Sequence, residues 1–214
     1  MPGGDLKILL ADDHAVVRSG LKGILADGLE RVVFGEARNT QEALVLLWKE
    51  KWDVVVLDIT MPGRSGLEVL REIKKSHPKL PVLVLSMHLE SQFAVRVLKQ
   101  GASGYITKES APEELVGAIK KVLAGGRYVS AALAQTLAAR LSSDEHKPAQ
   151  ELLSDREFSV LCLIASGKFV SEIALELSLS VKTISTYRAR ILEKMKMKNN
   201  AQLMRYAIDH HLVR

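Results

Sequence analysis

The feature that most constrains this chain is an alternation in its first half. Short apolar runs, too brief for helices, take turns with stretches whose apolar residues recur at helical spacing. The runs cover residues 6–10, 32–37, 54–57, 81–86 and 104–107. The helical spacings are carried by Val17, Leu21 and Leu25, by Ala43, Leu44 and Leu47, by Leu67, Leu70 and Ile73, by Ala94, Val97 and Leu98, and by Leu115, Ile119 and Val122. Five strands alternating with five helices predict an α/β domain whose parallel sheet is covered on both faces, because parallel neighbours need crossover connections. The pattern closes near Gly125 and Gly126, which gives a first domain over 1–126.

Residues 127–150 change character. An alanine-rich stretch with helical potential (131–141) is followed by SSDEHKPAQ, which has no apolar period, and together they predict a helical extension and then a flexible linker. The last block, 151–214, shows helix signals only. Ser154 and Glu157 form an S-x-x-E capping box ahead of the apolar run 158–165, and Gly167 ends that helix. A second helix is expected from about Ser171 to Leu177, a third after Ser180 to about Met195, and a last one around 203–208 after Asn199 and Asn200.

The composition, 47% hydrophobic and 26% charged, is that of an ordinary globular protein. A single cysteine, Cys162, excludes a disulfide framework and suggests a reducing compartment, and its place on an apolar helical run reads as core. No apolar run approaches the ~18 residues of a membrane span, and the N-terminus MPGGDLKILLADD lacks a basic leader, so a cytoplasmic protein is expected. The net charge of +5 is too small to name a partner, but its distribution is informative. Residues 178–200 hold six basic side chains (Lys182, Arg188, Arg190, Lys194, Lys196, Lys198) against Glu193 alone. The rest of the chain balances to zero.

In an open parallel sheet, ligands bind beyond the carboxyl ends of the strands. Asp12 and Asp13 end the first strand, Asp58 the third and Ser86 the fourth, and Lys108 follows the fifth. Carboxylates held together raise each other's pKa unless a cation intervenes, and a hard divalent ion with Lys108 beside it would supply that charge. The chemistry such a group permits is phosphoryl transfer onto a carboxylate. In the second domain, two helices joined by a short turn describe a helix-turn-helix. Ser180 caps the second of them, leaving the amides of Val181, Lys182 and Thr183 to face phosphate. Ile173, Ala174, Leu177, Val181, Ile184, Ile191 and Leu192 are spaced as its buried seam. Lys182, Ser185, Thr186, Arg188, Ala189 and Lys194 are left outward, a mixture suited to phosphate contact and base-edge reading.

The motifs L-L-A-D-D-H at 9–14, V-V-L-D-I-T-M-P-G at 55–63, L-S-M at 85–87 and G-Y-I-T-K at 104–108 resemble the receiver domain of bacterial response regulators, with its CheY-like five-stranded sheet in the order 2-1-3-4-5. The resemblance covers residues 5–125. It implies that Asp58 is the phosphoacceptor, that Asp13, Asp58 and the Thr60 backbone carbonyl ligate Mg²⁺, and that Asp12 contributes through water. It also implies that Ser86 and Lys108 bind the phosphoryl group and that Tyr105 swings inward once Ser86 moves. On the residues alone, Tyr105 reads equally as a surface-leaning strand tyrosine and His14 as a solvated loop residue.

L-S-D-R-E at 153–157, E-I-A at 172–174, S-x-x-T at 180–183 and K-M at 194–195 resemble the four-helix LuxR-type helix-turn-helix of NarL/FixJ regulators over 151–210, with Phe169 where the family has a small capping residue. This resemblance implies that Lys182, Ser185, Thr186 and Ala189 lie nearest the bases of promoter half-sites in double-stranded DNA, and that Thr183, Tyr187, Arg190 and Lys194 lie nearer the backbone or core. It further implies a sensor histidine kinase as phosphoryl donor and a homodimer on activation, formed through the terminal helix. The whole reads as a two-component transcriptional regulator, with no enzyme turnover beyond autodephosphorylation and no membrane partner. Two other classes share parts of the pattern. A Mg²⁺-dependent phosphohydrolase would release phosphate at steady state, and a phosphorylation-independent interaction module would bind DNA equally with and without acyl phosphate.

Overall fold

The computed structural model describes residues 4–59, 61, 66–86, 90–131, 133–135, 138, 149–210 and 212–213. The five apolar runs form one sheet: β1 (Leu6–Ala11), β2 (Val32–Ala37), β3 (Val54–Asp58), β4 (Val82–Ser86) and β5 (Gly104–Thr107). Its order is β2-β1-β3-β4-β5 and every pairing is parallel, as expected. All residues of β3 and β4 are buried, because a central parallel strand is covered on both faces and so reads as an unbroken apolar run. Side-chain alternation divides the core. Leu9, Val55, Leu57 and Val84 face one layer, and Ile8, Leu10, Val54, Val56 and Leu83 face the other. The first layer is closed by α2 (Thr40–Lys49), α3 (Gly66–Ser76) and α4 (Glu90–Lys99), and the second by α1 (Ala15–Gly28) and α5 (Ala111–Leu123).

The chain does not leave the sheet at Gly125 and Gly126. After Gly125, at φ +83°, it returns to the open edge of β5, where the Tyr128 amide donates to the Ser103 carbonyl at 2.9 Å and the Tyr105 amide to the Tyr128 carbonyl at 3.2 Å. Leu133 is buried as well, so the chain beyond 126 still packs on the apolar core. Residues 131, 133–135 and 138 are helical, and the flexible linker expected up to 150 falls mostly outside the described residues. Its end is ordered as a 3₁₀ turn, Ala149–Leu152, pinned where the Tyr206 hydroxyl donates to the buried Gln150 side chain.

Four α-helices follow: α6 (Asp155–Ala165), α7 (Val170–Glu176), α8 (Val181–Lys194) and α9 (Asn200–Asp209). Nine of the eleven residues of α6 are buried, since it is the central helix of this bundle and packs on α7, α8 and α9. Its capping box is complete: Ser154 Oγ accepts from the Glu157 amide at 3.3 Å and the Glu157 carboxylate from the Ser154 amide at 2.7 Å. Gly167, at φ +84°, ends it. α7 begins one residue earlier than expected. Phe169 has no side-chain acceptor, but the Glu172 carboxylate accepts from its amide at 2.6 Å and supplies half of a capping box.

Candidate functional site

Strand register brings the polar residues together. Ala11 lies opposite Leu57, Asp58 opposite Leu85 and Ser86 opposite Thr107, so Asp12, Asp58, Ser86 and Lys108 emerge within a residue of one another at one sheet edge. Asp12, Asp58 and Ser86 are buried at 1%, 0% and 0% exposure, and the Lys108 ammonium reaches between the acids, 2.6 Å from Asp58 Oδ2 and 2.7 Å from Asp12 Oδ2. Burial acts to lower the Lys108 pKa, but the Asp58 charge and the hydrogen bonds that the ammonium donates to both carboxylates outweigh it and hold it above its ordinary value.

Asp12 Oδ2 and Asp13 Oδ1 are shielded from solvent, the first against the Lys108 ammonium and the second beside the His14 ring. Carboxylate oxygens from Asp12, Asp13 and Asp58 and a His14 ring nitrogen lie within 4.8 Å of one another. This donor set, rich in hard oxygen, fits a divalent cation. His14 is exposed beside Asp13, with Nδ1 2.9 Å from its Oδ1. Thr60 lies outside the described residues. Tyr105 is fully buried, so it does not lean to the surface.

One residue of the site escaped the sequence reading. Arg18 is buried on α1, donating from Nη1 to the Asp12 carbonyl at 2.7 Å and from Nε to Glu36 at 3.1 Å. It braces the β1–α1 connection that carries Asp12 and Asp13. Its signal was a basic residue on the apolar side of a helix, one turn before Leu21 and two before Leu25. Lys22 also pairs with Glu36, and that hydrogen bond, followed by the one from Arg18, holds the Glu36 carboxyl below its ordinary range.

On α8, Lys182, Ser185, Thr186, Ala189 and Arg190 are exposed, Thr183, Tyr187 and Arg188 are half-buried, and Ile184 and Ile191 face the core. Two members of the predicted seam differ: Val181, in the first turn of α8, is 53% exposed, and Leu192, next to the buried Ile191, is half-buried. The cap on Ser180 forms, but it takes the Thr183 amide (3.0 Å), so that N–H is not left for phosphate. Two cations are committed within the domain. Arg188 Nε donates to Asn200 at 2.6 Å, and Lys194 Nζ to Glu157 at 2.6 Å. Burial alone would raise the Glu157 pKa, yet the Lys194 hydrogen bond and the Ser154 contacts hold it below its ordinary 4.5. Cys162 is buried and its thiol is pushed up to about 12 by desolvation, which leaves it inert at neutral pH.

Comparison with known proteins agrees with this geometry. Residues 8–120 match the family described as response regulator receiver domain, and residues 151–207 match bacterial regulatory proteins, luxR family. The chain is 39% identical over 209 residues to the response regulator GacA of Pseudomonas aeruginosa, covering 97% of this chain and 98% of that one. It is 36% identical over 208 residues to the response regulator UvrY of Escherichia coli, covering 97% and 95%. Among solved structures it is similar to RcsB of Salmonella enterica serovar Typhimurium, bound to promoter rprA in the presence of phosphomimetic BeF3⁻. That likeness has 29% identity and a TM-score of 0.66 and covers 95% of this chain and 98% of that one. Among the described residues, no helix is long and apolar enough to cross a membrane.

Proposed function

The chain belongs to the response regulators that join a receiver domain to a LuxR-family DNA-binding domain, and on that premise we propose that Asp58 is the residue through which it is switched. It is a DNA-binding transcriptional regulator of a two-component system. The supporting observation is the group at the sheet edge: a fully buried carboxylate sharing one ammonium with Asp12 beside two shielded acid oxygens. An Asp58 carboxylate oxygen attacks the phosphorus of a histidine kinase phosphohistidine or of a small acyl phosphate. The new O–P bond forms as the bond to the donor's nitrogen or oxygen breaks, and the donor leaves with that electron pair. Lys108 balances the charge on the moving group, and the Ser86 hydroxyl, at the end of the adjacent strand, donates to one of its oxygens. Mg²⁺ bound by Asp13, Asp58 and the Thr60 carbonyl, with Asp12 through water, would supply further neutralisation of the phosphoryl oxygens.

Phosphorylation adds about 1.5 to 2 negative charges beside Ser86 and Lys108, enough to bias a two-state arrangement of the segments that follow them. The reading assigns the output to the exposed residues of α8. Lys182 and Arg190 contact phosphates, while Ser185 and Thr186 lie nearest base edges, with Ala189 offering a methyl contact. Thr183, Tyr187, Arg188 and Lys194 serve from the margin or support the helix. RcsB, solved on promoter DNA and as dimers on DNA, supports a regulator that binds as a dimer, and the reading places it in the cytoplasm with α9 as its dimer contact. In such a dimer the half-sites lie about one helical turn, ~10 bp, apart. Treatment with acyl phosphate and Mg²⁺ should place a hydroxylamine-sensitive phosphate on the wild-type chain and none on Asp58→Asn. Labelling of the variant would overturn the assignment, and sustained phosphate release from phosphate esters would argue for a hydrolase.

A further inference from the structure

The receiver and the DNA-binding domain meet around one carboxylate. Asp155, the first residue of α6, is 5% exposed and accepts from Arg71 Nη2 of α3 at 2.5 Å, from Arg96 Nε of α4 at 2.8 Å and from Gln100 Nε2 at 3.0 Å. Arg96 also donates to the Leu153 carbonyl, and its guanidinium carbon lies 4.9 Å from the centre of the Phe158 ring. Lys99 pairs with Glu151 at 2.9 Å. A carboxylate in the first turn of a helix is favoured by the helix dipole, but that role needs only solvent exposure. Two guanidiniums from another domain are not required by it.

Between these groups a cavity of about 280 Å³ remains, bordered by Val95, Arg96, Lys99, Gln150 and Phe158. Domain cores are close-packed, so a hollow, ion-paired contact has the character of one that opens. The elements that hold Asp155 are also those attached to the phosphorylation pocket: α3 follows the segment after Asp58, and α4 the segment after Ser86. Meanwhile Lys182, Ser185, Thr186, Ala189 and Arg190 of α8 stay exposed with both domains in place. The contact fixes the orientation of the DNA-binding domain without covering its reading face.

We propose that Asp155 is an interdomain latch, held by Arg71 and Arg96, that confines the DNA-binding domain to one orientation and so withholds binding to paired half-sites while leaving single half-site binding intact. The link from the latch to signalling rests on the phosphorylation reading above, since the force to open it would come from Asp58 and Ser86. The test uses the full chain without a phosphoryl donor, as wild type, as Arg71→Gln with Arg96→Gln, and as Asp155→Asn. The first variant leaves the DNA-binding domain untouched, and the second preserves side-chain shape on α6. Small-angle X-ray scattering and binding to DNA selected by the wild-type chain, with one and with two half-sites, are measured in parallel.

Both variants should show a larger radius of gyration and about tenfold tighter binding to the paired site, in the range of ordinary coupling between sites. Single-site affinity should stay within about twofold. Unchanged scattering in both variants, or opening with no gain on the paired site, overturns the latch. A gain of equal size on the single site also overturns it, because the receiver would then be covering the reading face. Asp58 phosphorylation is assayed on the same samples. If the wild-type chain accepts no phosphoryl group while the variants open and gain affinity, the phosphorylation reading fails and the latch stands.

Discussion

Lys108 sets one ammonium against two buried carboxylates, and this residue decides how the pocket behaves without a metal. Its raised pKa means that its stabilising contribution is complete below the ordinary 10.5 and is lost only as pH rises through the higher folded value, so it is constant at neutral pH. Replacing it with Met leaves Asp12 and Asp58 facing each other uncompensated, with an expected loss of about 3–5 kcal/mol of the kind seen when one partner of a buried ion pair is removed. Added Mg²⁺ should recover more stability in Lys108→Met than it adds to the wild type, measured by urea unfolding with and without the ion. Equal stabilisation of the two would show that Lys108 and the metal do not share the same charge. The acids and Lys108 were legible in the sequence because each stands at the end of an apolar run. Arg18 was not, because a charged residue beside an apolar stripe is ordinarily assigned to water, and only the fold reveals that it reaches the Asp12 carbonyl.

Among the elements, α6 was the most legible and α8 the least. The capping box, the apolar run and the closing Gly167 each bound α6 independently, whereas the seam of α8 depended on where α7 would cross it, which left Val181 outside. The side chain of Lys194 likewise looked outward by helical spacing but turns to Glu157 on α6. Because the Glu157 pKa lies below its ordinary 4.5, its contribution is complete above that value and is lost as pH falls through the lower folded one. Lys194→Gln should cost about 1 kcal/mol at pH 7, modest because this lysine is partly exposed, and the deficit should shrink on acidification. Thermal melts of the full chain across pH 3–7 check it, and a deficit independent of pH would contradict it. In the receiver, a Cβ on Gly66 would lie 2.4 Å from the Ile59 Cα, next to Asp58. Gly66→Ala should therefore cost about 1–3 kcal/mol through overpacking. It should also slow acyl-phosphate labelling by displacing Ile59, and unaltered labelling kinetics would show that α3 does not position the phosphoacceptor.

At the scale of the whole molecule, the charge that looked small in sum is concentrated where DNA would meet it. The open cations of α8 itself are fewer than its basic residues, because Arg188 and Lys194 are committed within the domain. Lys182→Ala and Arg190→Ala should each flatten the salt dependence of DNA binding by about one unit per lost phosphate contact. Lys194→Gln should leave that slope nearly unchanged, and a flattening equal to that of Lys182→Ala would show that Lys194 contacts phosphate after all. The arrangement of the two domains was not legible, because Asp155 lies 84 residues from Arg71 and each alone reads as an ordinary surface charge. The domain order, by contrast, was plain from the switch of apolar period between the halves. The central claim, that the state of Asp58 governs DNA binding by α8, is tested most directly by the affinity for a two-half-site DNA with and without acyl phosphate and Mg²⁺, for the wild-type chain and Asp58→Asn. Tighter binding on treatment of the wild type alone is the predicted result, and an equal response from Asp58→Asn, or none from either, would contradict it.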